Sequence, residues 1–136
     1  MRAPVLYRIA CVLLVLFAVA HTVGFLTFQP PTPEGLAVRD AMANVHFQVN
    51  GSDLSYGGFY RAFGLLITAS GLFSAFVAWQ LATHPIPAMG WALCAVQVVG
   101  LVLSCVYIAA PPAVSSALVA GCVGWATWKS QAITRS

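Results

Sequence analysis

Charge is what this chain has least of. Only 7% of its 136 residues are charged, six basic and three acidic, and the acids are Glu34, Asp40 and Asp53. A soluble domain carries about 25% charged residues, so this chain cannot clothe an ordinary water-facing surface. Disorder is excluded as well, because it needs low hydrophobicity and high charge. A net charge of +3 is too small to recruit a polyanion, so nucleic acid is not an expected partner. Signatures of nucleophilic catalysis are also missing, since there is no GxSxG and no Cys–His spacing. Cys11, Cys94, Cys105 and Cys122 fall in apolar runs without a CxxC pair and read as small core residues. His21 and His46 could share an ion with Asp40 or Asp53, but no HxxxH or ExxH puts two ligands on one helix face. A bis-histidine haem would need two histidines deep in facing spans, where only His21 lies in one. No metal and no cofactor is expected.

What the chain does have is apolar residues, 60% of the total. A membrane-spanning helix needs about 20 of them in a row. Four runs qualify, at about 5–28, 59–81, 89–109 and 111–128; the last is short and carries Ser115, Ser116 and Thr127. The expected architecture is all-α: an integral membrane four-helix bundle in one domain, 1–136, with an outer amphipathic helix between its first two spans. Small residues prepare close helix contacts. They are Gly64, Thr68 and Gly71 in the second span, Gly90, Cys94, Gly100 and Ser104 in the third, and Ser116, Ala120 and Gly124 in the fourth. Gln97 reads as polar glue between helices. Trp79, Trp91, Trp125 and Trp128 fall near segment ends, as in an interfacial aromatic belt.

Basic residues set the orientation. Arg2, Arg8, Lys129 and Arg135 flank the two ends with no acid among them. Four spans put both ends on one side, and the positive-inside rule makes that side the cytoplasm. A competing pattern is a secretory signal ending at Ala18-Val19-Ala20. Apolar residues continue through Val23, Phe25, Leu26 and Phe28, which favours a retained helix.

The outer connection, 29–58, carries most of the polar chemistry. Thr32, Pro33 and Glu34 read as a helix entrance. From Glu34 to Val49, an apolar stripe of Val38, Met42, Val45 and Val49 opposes Arg39, Ala43, His46 and Asn50, predicting an amphipathic helix. Asn50-Gly51 ends it with a turn, and Gly57-Gly58 frees the chain before the second span. His21 near the end of the first span, Asp40 and His46 on the predicted helix, and Asp53, Tyr56, Tyr60 and Arg61 form the candidate ligand-binding set. Arg61, about one turn inside its span, is expected to pair with Asp53 or Asp40, or to snorkel to headgroups. Gly24 is expected to let a backbone or ligand approach His21.

His21-Thr22-Val23-Gly24-Phe25 resembles the HTxGF signature of a small family of bacterial four-helix membrane proteins, broadly DoxX-like in architecture. Ala41-Met42, Phe47, Gly51, Phe59-Tyr60 and Phe63-Gly64-Leu65 resemble the same family's loop and second helix. The resemblance covers about residues 10–82 and implies a four-helix bundle with an outward polar cluster, without an activity.

Three functions compete. In the first, a pocket lined by Phe25, Phe28, Phe47, Phe59 and Phe63, with His21, Tyr60 and Arg61 as polar groups, binds a lipid, sterol or quinone. In the second, a membrane enzyme uses His21 as acid/base on a lipophilic substrate, with Asp40 or Asp53 orienting it and Arg61 holding an anion. In the third, an accessory subunit uses its small-residue faces to bind a second copy or another membrane protein.

Overall fold

The computed structural model describes residues 2–108 and 110–134. Ala109, at the predicted end of the third span, and Arg135 lie outside the described residues. The elements run α1 (Ala3–Thr27), α2 (Pro33–Asn44), β1 (His46–Val49), β2 (Ser52–Ser55), α3 (Tyr56–Thr83), α4 (Pro87–Tyr107) and α5 (Ala110–Thr134). The chain is mainly helical, as its composition requires. α1, α3 and α4 are long and apolar enough to cross a membrane. α5 is as long as α1, but Pro111, Pro112, Ser115, Ser116 and Thr127 dilute its apolar content. Its prolines fall in the first turn, where a missing N–H costs no helical bond.

The chain divides into two units. One takes in residues up to Ala18 and from Ser70 onward; the other is Val19–Ala69. In the first unit, α1 buries Ala3, Leu6, Tyr7, Ala10, Leu14 and Ala18 along a single stripe. Ala75, Ala78, Leu81 and Ala82 of α3, Leu93 of α4, and Val119, Val123 and Ala126 of α5 join that core. Alanine dominates the core, so the backbones pack closely. Gly71 of α3 faces Ala18 of α1, with only ordinary contact distance left for a Cβ, 3.5 Å. The predicted small-residue seam closes between α4 and α5. Gly100 faces Ser116, Gly124 faces Cys94, and the Cys94 thiol donates to the Ala120 carbonyl over 3.5 Å. Gln97 is half-buried, and no side-chain hydrogen bond of it falls among the described residues.

One buried polar link lies in this core. Thr127 donates its hydroxyl proton to the Val123 carbonyl at 2.8 Å. Its oxygen must therefore accept from the Tyr7 hydroxyl, 2.9 Å away. Tyr7 is 1% exposed and Thr127 0%. The link ties the first turns of α1 to the last turns of α5.

The second unit corrects the predicted loop. The helix begins as expected: Thr32 caps it by accepting from the Gly35 amide at 3.1 Å. It stops at Asn44 rather than Val49, and it buries no residue. His46–Val49 instead pairs antiparallel with Ser52–Ser55, His46 opposite Ser55 and Gln48 opposite Asp53. The physical reason is the turn. Asn50 and Gly51 both take positive φ, 50° and 82°, the geometry a two-residue hairpin demands. His-Phe-Gln-Val then alternates with period two, which a ribbon satisfies better than a helix. Gly57 and Gly58 lie inside α3, not in a flexible lead-in. Ser55 caps that helix by accepting from the Gly58 amide at 3.0 Å. The bare Gly57 lies against the Met42 carbonyl of α2, which a Cβ would meet at 3.1 Å.

Candidate functional site

All seven predicted site residues belong to the second unit, and they fall into separate groups. The first group is built by the His21–Phe25 stretch on α3. The Nε2–H of His21 donates to the Gly64 carbonyl at 3.0 Å, which fixes the tautomer. The next residue, Thr22, joins hydroxyls at 2.8 Å with Thr68, one turn beyond Gly64 on α3. Phe25 stacks on His21, with ring centroids 5.7 Å apart and planes within 12°. Its other neighbour is Tyr60, at 5.3 Å. The ring lies over Gly64, where any Cβ would collide with it. Positions 21, 22 and 25 share one face of α1 by helical spacing, and 60, 64 and 68 share one face of α3. The HTVGF stretch thus serves as a helix–helix joint. Gly24 takes no part in it, because a Cβ there meets nothing within 4 Å. Gly64, not Gly24, is the close-approach glycine.

The second group is on the ribbon. Asp53 accepts from the Nδ1 of His46 at 2.8 Å through one oxygen and from the Gln48 amide at 2.8 Å through the other. His46 and Asp53 are about half exposed, 48% and 55%. An exposed pair of this kind is worth about 0–1 kcal/mol, so Asp53→Ala should lower thermal stability by no more than that while leaving helix content, read by circular dichroism, unchanged. Gln48 escaped the sequence reading because the period-two alternation of the ribbon was read as helix.

The third group is aromatic. Phe47 of β1 meets Tyr56 at 4.7 Å and Phe59 edge-on at 5.9 Å, and Phe59 meets Phe63 at 4.7 Å. Tyr56, Phe59, Tyr60 and Phe63 are all exposed over the first two turns of α3.

Asp40 and Arg61 stand apart. Asp40 is exposed on α2; its carbonyl accepts from the Asn44 side chain at 2.8 Å, and its carboxylate forms no ion pair among the described residues. Arg61 is exposed and forms no ion pair among the described residues. The expected partner Asp53 is taken by His46 and Gln48. No group of three His, Cys, Asp or Glu side chains able to hold a metal ion gathers among the described residues. Comparisons with protein-family models, with curated proteins and with solved structures find no match.

Proposed function

We propose that the chain is a small multi-pass protein of the bacterial inner membrane that holds an amphiphile of lipid, sterol or quinone type at the outer-leaflet ends of α1 and α3. In this reading α5 is the fourth span, both ends are cytoplasmic, and α2 with its ribbon lies at the outer interface. The HTxGF resemblance agrees with such a four-helix, DoxX-like arrangement.

The observation that carries the reading is Arg61. It sits inside an apolar helix, exposed and with no acid partner among the described residues, in the same two turns of α3 that expose Tyr56, Phe59, Tyr60 and Phe63. Aromatic rings favour the headgroup level of a bilayer, and a guanidinium there is satisfied by an anionic or strongly accepting head. Catalysis by His21 is less well supported, since its Nε2 proton is already given to the Gly64 carbonyl. An accessory role through small-residue faces is also weaker, because the α4–α5 seam uses those faces internally.

The test is extraction and mass-spectrometric identification of whatever copurifies in mild detergent. Wild type should retain an amphiphile, and Arg61→Gln should lose most of it with helix content intact. Equal ligand content in both would remove Arg61 from the site. Topology is checked separately. With the four native cysteines replaced, Ser130→Cys should resist an impermeant thiol reagent in intact cells; labelling from outside would reverse the assignment.

A further inference from the structure

The first unit contains no acid at all. Glu34, Asp40 and Asp53 all fall within Val19–Ala69. No Asp or Glu side chain of the same unit is therefore at hand to pair with Arg8. Arg8 follows Tyr7, and Lys129 comes two residues after Thr127. The Tyr7–Thr127 bond thus brings both cations to one end of the unit. Lys129 lies over the Trp125 ring, 5.6 Å from its centroid. Arg8 is exposed and forms no ion pair or side-chain hydrogen bond among the described residues.

Beside Arg8 runs an open groove of about 280 Å³, lined by Val5, Arg8, Ile9, Val12 and Leu13. Its lining is aliphatic, Arg8 contributing its hydrocarbon stem rather than its guanidinium. α1 is apolar enough to cross a membrane, and Val12 is 57% exposed on it. The groove is therefore on a lipid-facing surface of the helix. A trough that accepts hydrocarbon, lined by the stem of an arginine with no ion pair among the described residues, matches one ligand chemistry. The hydrocarbon fills the trough, and two oxygens of a phosphate meet the guanidinium fork.

We infer that this groove seats an acyl chain of an anionic phospholipid whose phosphate is held by Arg8. The site is separate from the amphiphile site proposed above. It is in the other unit and, under the cytoplasmic assignment of the two ends, in the inner leaflet. A zwitterionic lipid fits less well because its choline opposes the field of Arg8 and Lys129. Free phosphate fits less well because it leaves the trough empty.

The experiment is native mass spectrometry of the purified full chain, titrated with dioleoyl phosphatidylglycerol or dioleoyl phosphatidylcholine. The glycerol lipid should bind more tightly to wild type. Arg8→Gln should weaken it about fivefold, the effect of one basic residue near a lipid surface, with phosphatidylcholine binding little changed. Arg8→Lys should retain part of the preference. Val12→Trp, which fills the trough, should weaken both lipids; Ile9→Phe replaces it if its helix content falls. Arg61→Gln should keep the phosphatidylglycerol preference, which separates this site from the outer one. Equal binding of the two lipids, a preference that survives Arg8→Gln, or displacement by millimolar inorganic phosphate would each overturn the inference. Loss of the preference in Arg61→Gln alone would assign the lipid to the outer site instead.

Discussion

Gly90→Ala should destabilise the protein by about 2–4 kcal/mol. Gly90 is in the first turn of α4 and is buried. A Cβ there would collide with the Thr127 hydroxyl, lie 2.9 Å from its methyl carbon, and lie 3.0 Å from the Tyr7 hydroxyl. None of these atoms can retreat cheaply. Thr127 is β-branched and stiff at χ1, and its oxygen is committed to the Val123 carbonyl and to Tyr7. Overpacking of this kind costs about 1–3 kcal/mol, and losing the Tyr7 bond adds about 1 kcal/mol. Thermal unfolding in detergent measures it. All four tryptophans belong to this unit, so intrinsic fluorescence reports the transition. A second variant separates clash from lost hydrogen bond. Thr127→Ala creates the missing space, so Gly90→Ala/Thr127→Ala should be more stable than the sum of the single changes predicts. Strict additivity would mean that the two positions do not interfere.

How far the sequence leads depends on the kind of signal. Long apolar runs define three helices capable of crossing a membrane, because a helix satisfies its own backbone bonds where water is absent. The Thr32 cap was legible because a hydroxyl before Pro33 and Glu34 has one good use. The span from His46 to Val49 was misread because four residues fit either period. Only the positive φ of Asn50 and Gly51 decides between them, and an Asn-Gly pair is equally compatible with a helix stop. The second span's glycines were legible as packing positions, but the partner of each was not. Nothing in the sequence tells that Gly64 receives Phe25 or that Gly90 receives Thr127. The site fared similarly. His21 and Tyr60 stand out in the sequence as polar groups near the ends of apolar runs, and both lie against Phe25. Asp53 or Asp40 was expected beside Arg61, yet Asp53 meets His46 and Gln48, because sequence proximity does not show which way a ribbon points its carboxylate.

The sharpest test of the helix joint compares two glycines. Gly64→Ala should cost about 1–3 kcal/mol, the range for overpacking, whereas Gly24→Ala should be neutral or stabilise by up to about 1 kcal/mol through helix propensity. The HTVGF stretch would suggest the reverse, since Gly24 lies inside it. The geometry decides. A Cβ at position 24 meets open space, and one at 64 meets the Phe25 ring. That ring is held by His21 on one side and Tyr60 on another, and each aromatic contact is worth about 0.5–1.5 kcal/mol. Turning the ring aside for a new methyl group forfeits both. The same shift strains the bond from His21 to the Gly64 carbonyl, which shares the peptide unit that must move. No tryptophan lies in Val19–Ala69, so fluorescence will not report the change. Hydrogen exchange read by mass spectrometry will, as faster exchange in peptides covering 19–28 and 59–69. Phe25→Leu in the Gly64→Ala background should recover part of the loss, because the shorter side chain leaves room for the methyl group. If Gly64→Ala exchanges at the wild-type rate while Gly24→Ala does not, the joint described between the end of α1 and the start of α3 is wrong.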